Sequence, residues 1–237
     1  MKVLFFVPSF NDQVGLPELI SELVICYPEA TVLVLDDGSE PAIVLPVHPS
    51  FEAPHVVMLR LANNEGLGLA TSIALDYFLD RNFDYLVRLD ADGQHPQGEI
   101  DGLLLGLRKG DADVVWSDRL NNLKAGSPKA IMGSVTKTFT AWLGRAIFRS
   151  QVNDWFTGFF AINRTAASHV SSAYLERYCE VQLLCIFHSA DLRIKTHPVE
   201  QLDRKFGKTR ISWLDGLMIL FRSTLMMVLY ALRMHPK

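Results

Sequence analysis

The sequence predicts a single α/β domain in which a mostly parallel sheet is flanked by helices, with an amphipathic helix following at the C-terminus. Short apolar runs at residues 3–7, 32–35, 56–59, 85–89 and 114–116 alternate with helical periodicities near 16–26, 69–79 and 100–107. Alternation of this kind builds a parallel sheet covered by helices. The runs also end in polar loops, and open α/β sheets bind ligands at that carboxyl edge. Finally, 237 residues without a recognisable linker or repeat suffice for one sizeable domain, burying about 70 to 75 per cent of the unfolded surface.

The elements follow one another with distinct chemistry at their ends. The first run stops in Pro8-Ser9-Phe10-Asn11-Asp12 and the second in Asp36-Asp37-Gly38-Ser39. After the third, Asn63-Asn64-Glu65-Gly66-Leu67-Gly68 opens a helical pattern. A dinucleotide-binding fold competes for this Gly66-x-Gly68 pair. It fails on position, because the pair does not follow the first strand and the third glycine position holds Thr71. Glycines there suit close approach of backbone and a helix N-terminus to a nucleotide.

The fourth run leads into Leu89-Asp90-Ala91-Asp92-Gly93-Gln94-His95. In extended backbone residues i and i+2 share a face, so Asp90 and Asp92 can converge on one hard cation. The metal, Mg2+ or Mn2+, is expected on Asp92 and Gln94. His95 is expected to pack or cap, since hard cations prefer oxygen. Taken alone, the same D-x-D is a solvated acidic turn capping the next helix. Trp116-Ser117-Asp118-Arg119 then closes a further strand.

Later come Asp154-Trp155-Phe156-Thr157-Gly158-Phe159-Phe160, Glu180 before a helical stretch, and Arg204-x-x-Gly207-x-Thr209-Arg210. Motifs of these types in this order resemble the family 2 inverting glycosyltransferases of the GT-A fold. The resemblance is greatest to the polyprenyl-phosphate hexose transferases of the dolichyl-phosphate mannose synthase type, and covers residues 2–212. It implies a GT-A domain at 1–211 and a tail at 212–237. It implies a nucleotide-diphosphate sugar donor, with Pro8, Phe10, Asp12, Leu35 and Asp37 around base and ribose and Asp90 and Ala91 beside them. Arg119 would stand near both reacting phosphates, with Arg204 and Arg210 on a loop that closes over them. Arg119, Lys129 and Ser134 would meet the phosphate of a polyprenyl phosphate acceptor. The chain departs from the pattern at Asp12, where glutamate is commoner, at Lys129, which replaces an arginine, at Gly133, where a serine is expected and Ser134 is adjacent, and at Arg210, which replaces a lysine.

A diphosphate leaving group gains charge as the glycosidic bond breaks, so a divalent cation and fixed positive groups must wait for it. The acceptor decides whether a base is needed. A phosphate monoester is already anionic near neutral pH and needs holding, whereas a hydroxyl needs proton removal. For a sugar hydroxyl on a lipid-linked or surface glycan, Asp154 and Glu180 are the candidate bases. A nucleotide-sugar-binding module without turnover is disfavoured by the intact charged set. A nucleotidyltransferase would want a glycine-rich, lysine-containing loop after the first strand.

Charge is divided along the chain. Residues 1–118 carry 6 basic and 19 acidic side chains, residues 119–153 carry 6 basic and none acidic, and residues 204–237 carry 7 basic and one acidic. Most of the surface should repel a nucleic acid, while the two basic segments suit an anionic bilayer or a lipid phosphate. Both interleave with apolar residues at helical spacing, at 130–148 and 212–233. In the second, Asp215, Arg222 and Arg233 fall on nearly one line, opposite Leu217, Leu220, Phe221, Leu225, Val228 and Leu232. Arg222 in mid-helix favours lying in the membrane interface over crossing it, and the alternative is a core or dimer helix. The short N-terminal apolar run falls below a secretory signal, so a cytoplasmic protein peripheral to the membrane is expected. Cys26, Cys179 and Cys185 lack metal-ligand spacing and are expected as reduced, packed thiols.

Overall fold

The computed structural model describes residues 1–12, 14–45, 55–120, 128–200, 202 and 213–234. Its elements are β1 (Val3–Ser9), α1 (Leu16–Cys26), β2 (Thr31–Asp36), β3 (Val56–Arg60), α2 (Leu67–Asp80), β4 (Tyr85–Arg88), α3 (Ile100–Arg108), β5 (Val114–Leu120), α4 (Pro128–Phe148), β6 (Phe160–Asn163), α5 (Arg164–Val170), α6 (Glu180–Ser189), β7 (Ile194–Glu200) and α7 (Trp213–Met234). One seven-stranded sheet has the order β3-β2-β1-β4-β6-β5-β7. Every pairing is parallel except those of β6 with β4 and β5.

Side chains alternate across each strand, so an apolar run feeds both faces. Leu4 and Phe6 join Leu33, Leu35, Leu86, Trp116 and Phe160 on one face, against α2, α5 and α6. Val3, Phe5 and Val7 join Val32, Val34, Val87 and Val115 on the other, against α1 and α3. The antiparallel β6 matters for function. Because it runs backwards, the loop entering it arrives at the carboxyl edge of its parallel neighbours and brings residues 154–159 there.

The expected strands and helices all form, with small differences at their ends. β4 stops at Arg88, and the amide of Leu89 instead donates to Phe6 O at 3.1 Å. β5 continues to Leu120 because β7 pairs with it along its whole length. Neither β6 nor β7 is evident from the sequence. β6 has four residues, and β7 is an edge strand, mostly exposed and carrying Pro198, as edges tolerate.

The segment expected at 212–233 forms helix α7, which packs on α4 and α6. Its face of contact is unexpected. Ser223 and Met227 are buried and Met226 and Tyr230 are partly buried, while Arg222 pairs with Glu176 of the domain. Arg222 thus reaches the domain from the flank of the packed face, and Arg233 is exposed. Leu217, Met218, Phe221, Leu225, Val228, Leu229 and Leu232 all face outward, Phe221 at 69% exposure, within an arc of about 120° at 100° per residue. Across the sequence boundary expected at 211/212, the helix thus packs back onto the domain.

Arg164 ties the sheet's far edge together. Its guanidinium donates to Phe78 O, Leu79 O and Phe83 O at 3.4, 2.8 and 3.1 Å, satisfying two carbonyls that the end of α2 leaves without helical partners and one in the loop that follows. Replacing Arg164 by Met should cost about 1–3 kcal/mol and lower Tm by about 2–10 °C. Thermal unfolding by circular dichroism checks this, with kcat/KM expected to stay at the wild-type value.

Candidate active site

The carboxyl edge of the sheet gathers the loops that the sequence singles out. The loops after β1 and β2 are bound to each other: Asp37 N donates to Ser9 O at 2.8 Å, Asn11 N to Ser39 Oγ at 2.7 Å, and Glu40 N to Asn11 Oδ1 at 2.8 Å. Asp36 is wholly buried, accepts from the amides of Ser39 and Ile43, and pairs with Arg60 at 3.3 Å.

Asp37, expected at the nucleotide base, has a different visible task. Its two oxygens accept from Glu65 N at 2.8 Å, from Gly66 N at 2.9 and 3.2 Å, and from Asn64 Nδ2 at 3.1 Å. The reason is the start of α2, whose first N–H groups have no helical acceptor, together with Gly66 at φ 96°, a conformation open to glycine. Burial raises the Asp37 pKa, and the amides of Glu65 and Gly66 offset this only in part. Leu35 is fully buried in the core and Ala91 nearly so, which leaves mainly their backbones for a nucleotide. Pro8, Phe10 and Asp12 are partly exposed at the edge.

The D-x-D loop is held from three sides. His95 accepts the Asp90 amide on Nδ1 at 2.9 Å and stacks on Phe159, with centroids 4.9 Å apart and planes at 13°. An accepting Nδ1 places the ring proton on Nε2. His95 thus packs and caps, as expected. Asp92 Oδ1 accepts from Gln94 N at 3.0 Å, which closes the turn that carries both expected metal ligands. Leu202 N donates to Gln94 O at 3.1 Å, so Leu202 lies beside this loop. Gly158 is required opposite: a Cβ there would lie 2.6 Å from Asp90 Oδ2 and 2.9 Å from Arg88 Nη2.

Arg119, at the end of β5, meets Asp154 through Nε and through Nη2, the latter at 2.9 Å. The Asp154 carboxylate is 1% exposed and the Arg119 side chain 32%. Lys137 of α4 adds its ammonium 3.5 Å from Asp154 Oδ2, 3.7 Å from Asp118 Oδ1, and 2.6 Å from the carbonyl of Arg119. Burial alone would raise the Asp154 pKa. The Arg119 hydrogen bonds and charge, with Lys137, overcome that and hold it below the ordinary carboxylate range. The field at Arg119 also includes Asp90 and Glu180, so the loops from β4, β5, β6 and α6 share one electrostatic site.

Of the expected site residues, the described part of the structure brings together Pro8, Phe10, Asp12, Leu35, Asp37, Asp90, Ala91, Asp92, Gln94 and Arg119 at or beneath one edge. Ser134 lies on α4, partly exposed. Arg204, Arg210 and the side chain of Lys129 lie outside the described residues. Asp154 and Glu180 are engaged in ion pairs. Lys137 and Arg88 were not anticipated. Arg88 had a visible signal, a charge closing an otherwise apolar strand of Tyr85, Leu86 and Val87. Lys137 had none beyond its place in a basic helix.

A sheet edge with a D-x-D loop, an arginine at the next strand's end and a helix N-terminus anchored beside the first two loops defines a nucleotide-sugar-dependent glycosyltransferase of the GT-A class. Residues 5–169 match the family described as Glycosyl transferase family 2, and the chain belongs to that family. It is 27% identical over 220 residues to an undecaprenyl-phosphate mannosyltransferase of Micrococcus luteus, covering 90% of this chain and 88% of that protein. It is 30% identical over 120 residues to a polyprenol monophosphomannose synthase of Mycolicibacterium smegmatis, covering 50% of this chain and 45% of that one. In fold it resembles the glucosyl-3-phosphoglycerate synthase of Mycobacterium tuberculosis crystallised with Mn2+ and UDP-glucose. That match has a TM-score of 0.69 at 16% identity, over 100% of this chain and 80% of the other.

Two outcomes follow from this geometry. Asp92→Asn should lower kcat/KM at least about 100-fold without changing Tm, and EDTA should reproduce the loss reversibly, with activity restored by added Mn2+ or Mg2+. Asp154→Asn should destabilise by about 2–3 kcal/mol, the low end for breaking a buried pair because Arg119 is partly solvated. Since the folded pKa of Asp154 is depressed, its contribution is present above the unfolded aspartate value and is lost as pH falls below about 4. Urea titrations at pH 7 and pH 3 should show the difference between wild type and variant shrinking at the lower pH.

Proposed function

We propose that the protein is a metal-dependent inverting glycosyltransferase that moves a hexose from a nucleotide-diphosphate sugar to a polyprenyl phosphate at the cytoplasmic face of a membrane. The observation that carries it is the contact between α4 and Arg119. Lys137 binds the Arg119 carbonyl, and on the outer side of the same helix Val135, Phe139 and Trp142 are exposed. Arg119, proposed to bind phosphate, and an outward apolar surface thus flank the same helix, which suits an acceptor with an anionic head and an apolar tail. The outward arc of α7, packed beside α4, extends that surface, and Arg145, Arg149 and Arg233 supply positive charge for anionic headgroups. The activity carried by the name of the Micrococcus luteus relative agrees with this reading.

Asp92 and Gln94 offer the hard oxygen donors that Mg2+ or Mn2+ prefers. Among the described residues no group of three acidic, histidine or cysteine side chains could hold a metal unaided, which fits a cation that shares its shell with substrate phosphates. Bound there, it would neutralise charge growing on the leaving diphosphate. Arg119 then faces phosphate from the other side, its charge already balanced by Asp154, while Asp90 and the loops after β1 and β2 position the nucleotide. Direct attack by the acceptor's phosphate oxygen on the anomeric carbon forms the new bond as the bond to the diphosphate breaks, with inversion. No base is needed for an oxygen that is already anionic. The depressed pKa of Asp154 supports this over a hydroxyl acceptor, because a carboxylate held ionised by arginine and lysine is a weak proton acceptor. Arg204 and Arg210 are proposed to close over the diphosphates.

Radiolabelled UDP- and GDP-sugars, incubated with and without polyprenyl phosphate and then extracted into organic solvent, test the reading. Label should enter the organic phase only when the lipid phosphate is present. Transfer to a glycan hydroxyl with none to the lipid phosphate would replace it by the second acceptor class. Phe221→Ser/Leu225→Ser/Leu232→Ser, on the outward arc of α7, should reduce co-sedimentation with anionic liposomes by at least about tenfold while leaving Tm within about 2 °C, since each burial lost is worth about 1.5–3 kcal/mol only where the residue enters lipid.

A further inference from the structure

Arg88 is the strongest unexplained feature of the core. It ends β4, its side chain is 3% exposed, and it lies over the Phe160 ring with 5.7 Å between guanidinium carbon and ring centroid. Nη2 alone carries its pairing, at 3.0 Å to Glu180 Oε1 and 3.4 Å to Asp90 Oδ1. Nε and Nη1 are buried without a hydrogen-bond partner among the described residues. Apolar residues in place of both Arg88 and Glu180 would fill this space without desolvating charges, so the ion pair as a whole adds little to stability, although removing Arg88 alone would strand a carboxylate. Unsatisfied buried donors in a native protein ask for a functional reason.

The reason lies in the two carboxylates. Asp90 opens the D-x-D loop and is 36% exposed at the sheet edge, while Glu180 begins α6. Left alone they would repel each other, and either would be free to turn. With Arg88 beneath them they form one unit joining β4 to α6, closed from above by Gly158, whose missing side chain makes room for both Asp90 and Arg88. We propose that Arg88 is a positioning residue of the donor site, fixing the Asp90 carboxylate against Glu180 so that the D-x-D loop is pre-set for a nucleoside diphosphate and its cation. It rests on the donor half of the proposed function and is independent of the acceptor.

Three variants, Arg88→Met, Arg88→Lys and Arg88→Met/Glu180→Leu, test this. Each is assayed by thermal unfolding and by calorimetric titration with UDP and with GDP in the presence of Mn2+, well below the lowest Tm of the set. Arg88→Met should lose both stability and nucleotide affinity. The double variant exchanges the ion pair for apolar contact, so its Tm should return to near the wild-type value while affinity stays at least about tenfold weaker. Arg88→Lys, which keeps the charge, should recover part of the affinity lost in Arg88→Met. If affinity in the double variant returns together with Tm, or if Arg88→Met binds as tightly as wild type, Arg88 is only a core ion pair and the proposal fails. A wild-type protein that binds neither UDP nor GDP would overturn the donor reading itself. Failure of transfer to the lipid phosphate leaves these titrations fully readable.

Discussion

Asp154 is the charge about which the functional half of the molecule is arranged. It is buried at the mouth of the sheet, and its carboxylate binds Arg119 from β5, Lys137 from α4 and the amide of Phe156. Its carbonyl accepts from the Trp116 indole at 2.8 Å. A carboxylate taken out of water at such a place must be compensated almost completely. Three elements are consequently pinned in register around it, and Arg119 keeps part of its side chain exposed at the edge. Backward-running β6 makes this possible, because only an antiparallel strand delivers its preceding loop to the edge where its neighbours end.

The same economy recurs elsewhere. Asp36 is neutralised by Arg60 and two amides, Asp37 accepts from amides at the start of α2, and at the opposite edge, before β5, Arg193 holds the Asp113 pKa at about 2. Asp36 and Asp113 thus hold the scaffold, and Asp37 anchors α2 at the edge expected to meet the nucleotide. The scaffold group is saturated by backbone amides and arginines. Such saturation is a reason for precision: loops bound to each other through buried polar groups do not need a ligand to shape them.

α7 shows how tertiary context reverses a familiar pattern. On a soluble protein an amphipathic helix buries its apolar face. Here the packed face holds Ser223, Met226, Met227 and Tyr230, Arg222 reaches Glu176 from its flank, and seven apolar side chains look outward. A surface of this size asks for a cover, and the lipid phosphate reading supplies one in the membrane that holds the acceptor. Because α4 joins this surface to Arg119 through Lys137, the site and its apolar face are parts of a single packed structure.

Much of this was legible in the sequence. The five strands and three helices expected from periodicity form, since a run such as Val3 to Val7 declares its burial locally. The D-x-D loop, the arginine closing β5 and the glycine opening α2 were marked by composition at strand ends, and α4 and α7 by helical spacing. Tertiary structure alone decided the rest. Leu35 is buried in the core and Asp37 anchors the start of α2 because of what lies across from them, β7 exists because β5 offers an edge, and Arg88 finds Glu180 across 92 positions of sequence. Periodicity reports whether a residue is buried, whereas the partner that satisfies a buried charge, and the face a helix turns outward, depend on contacts between segments far apart in the chain.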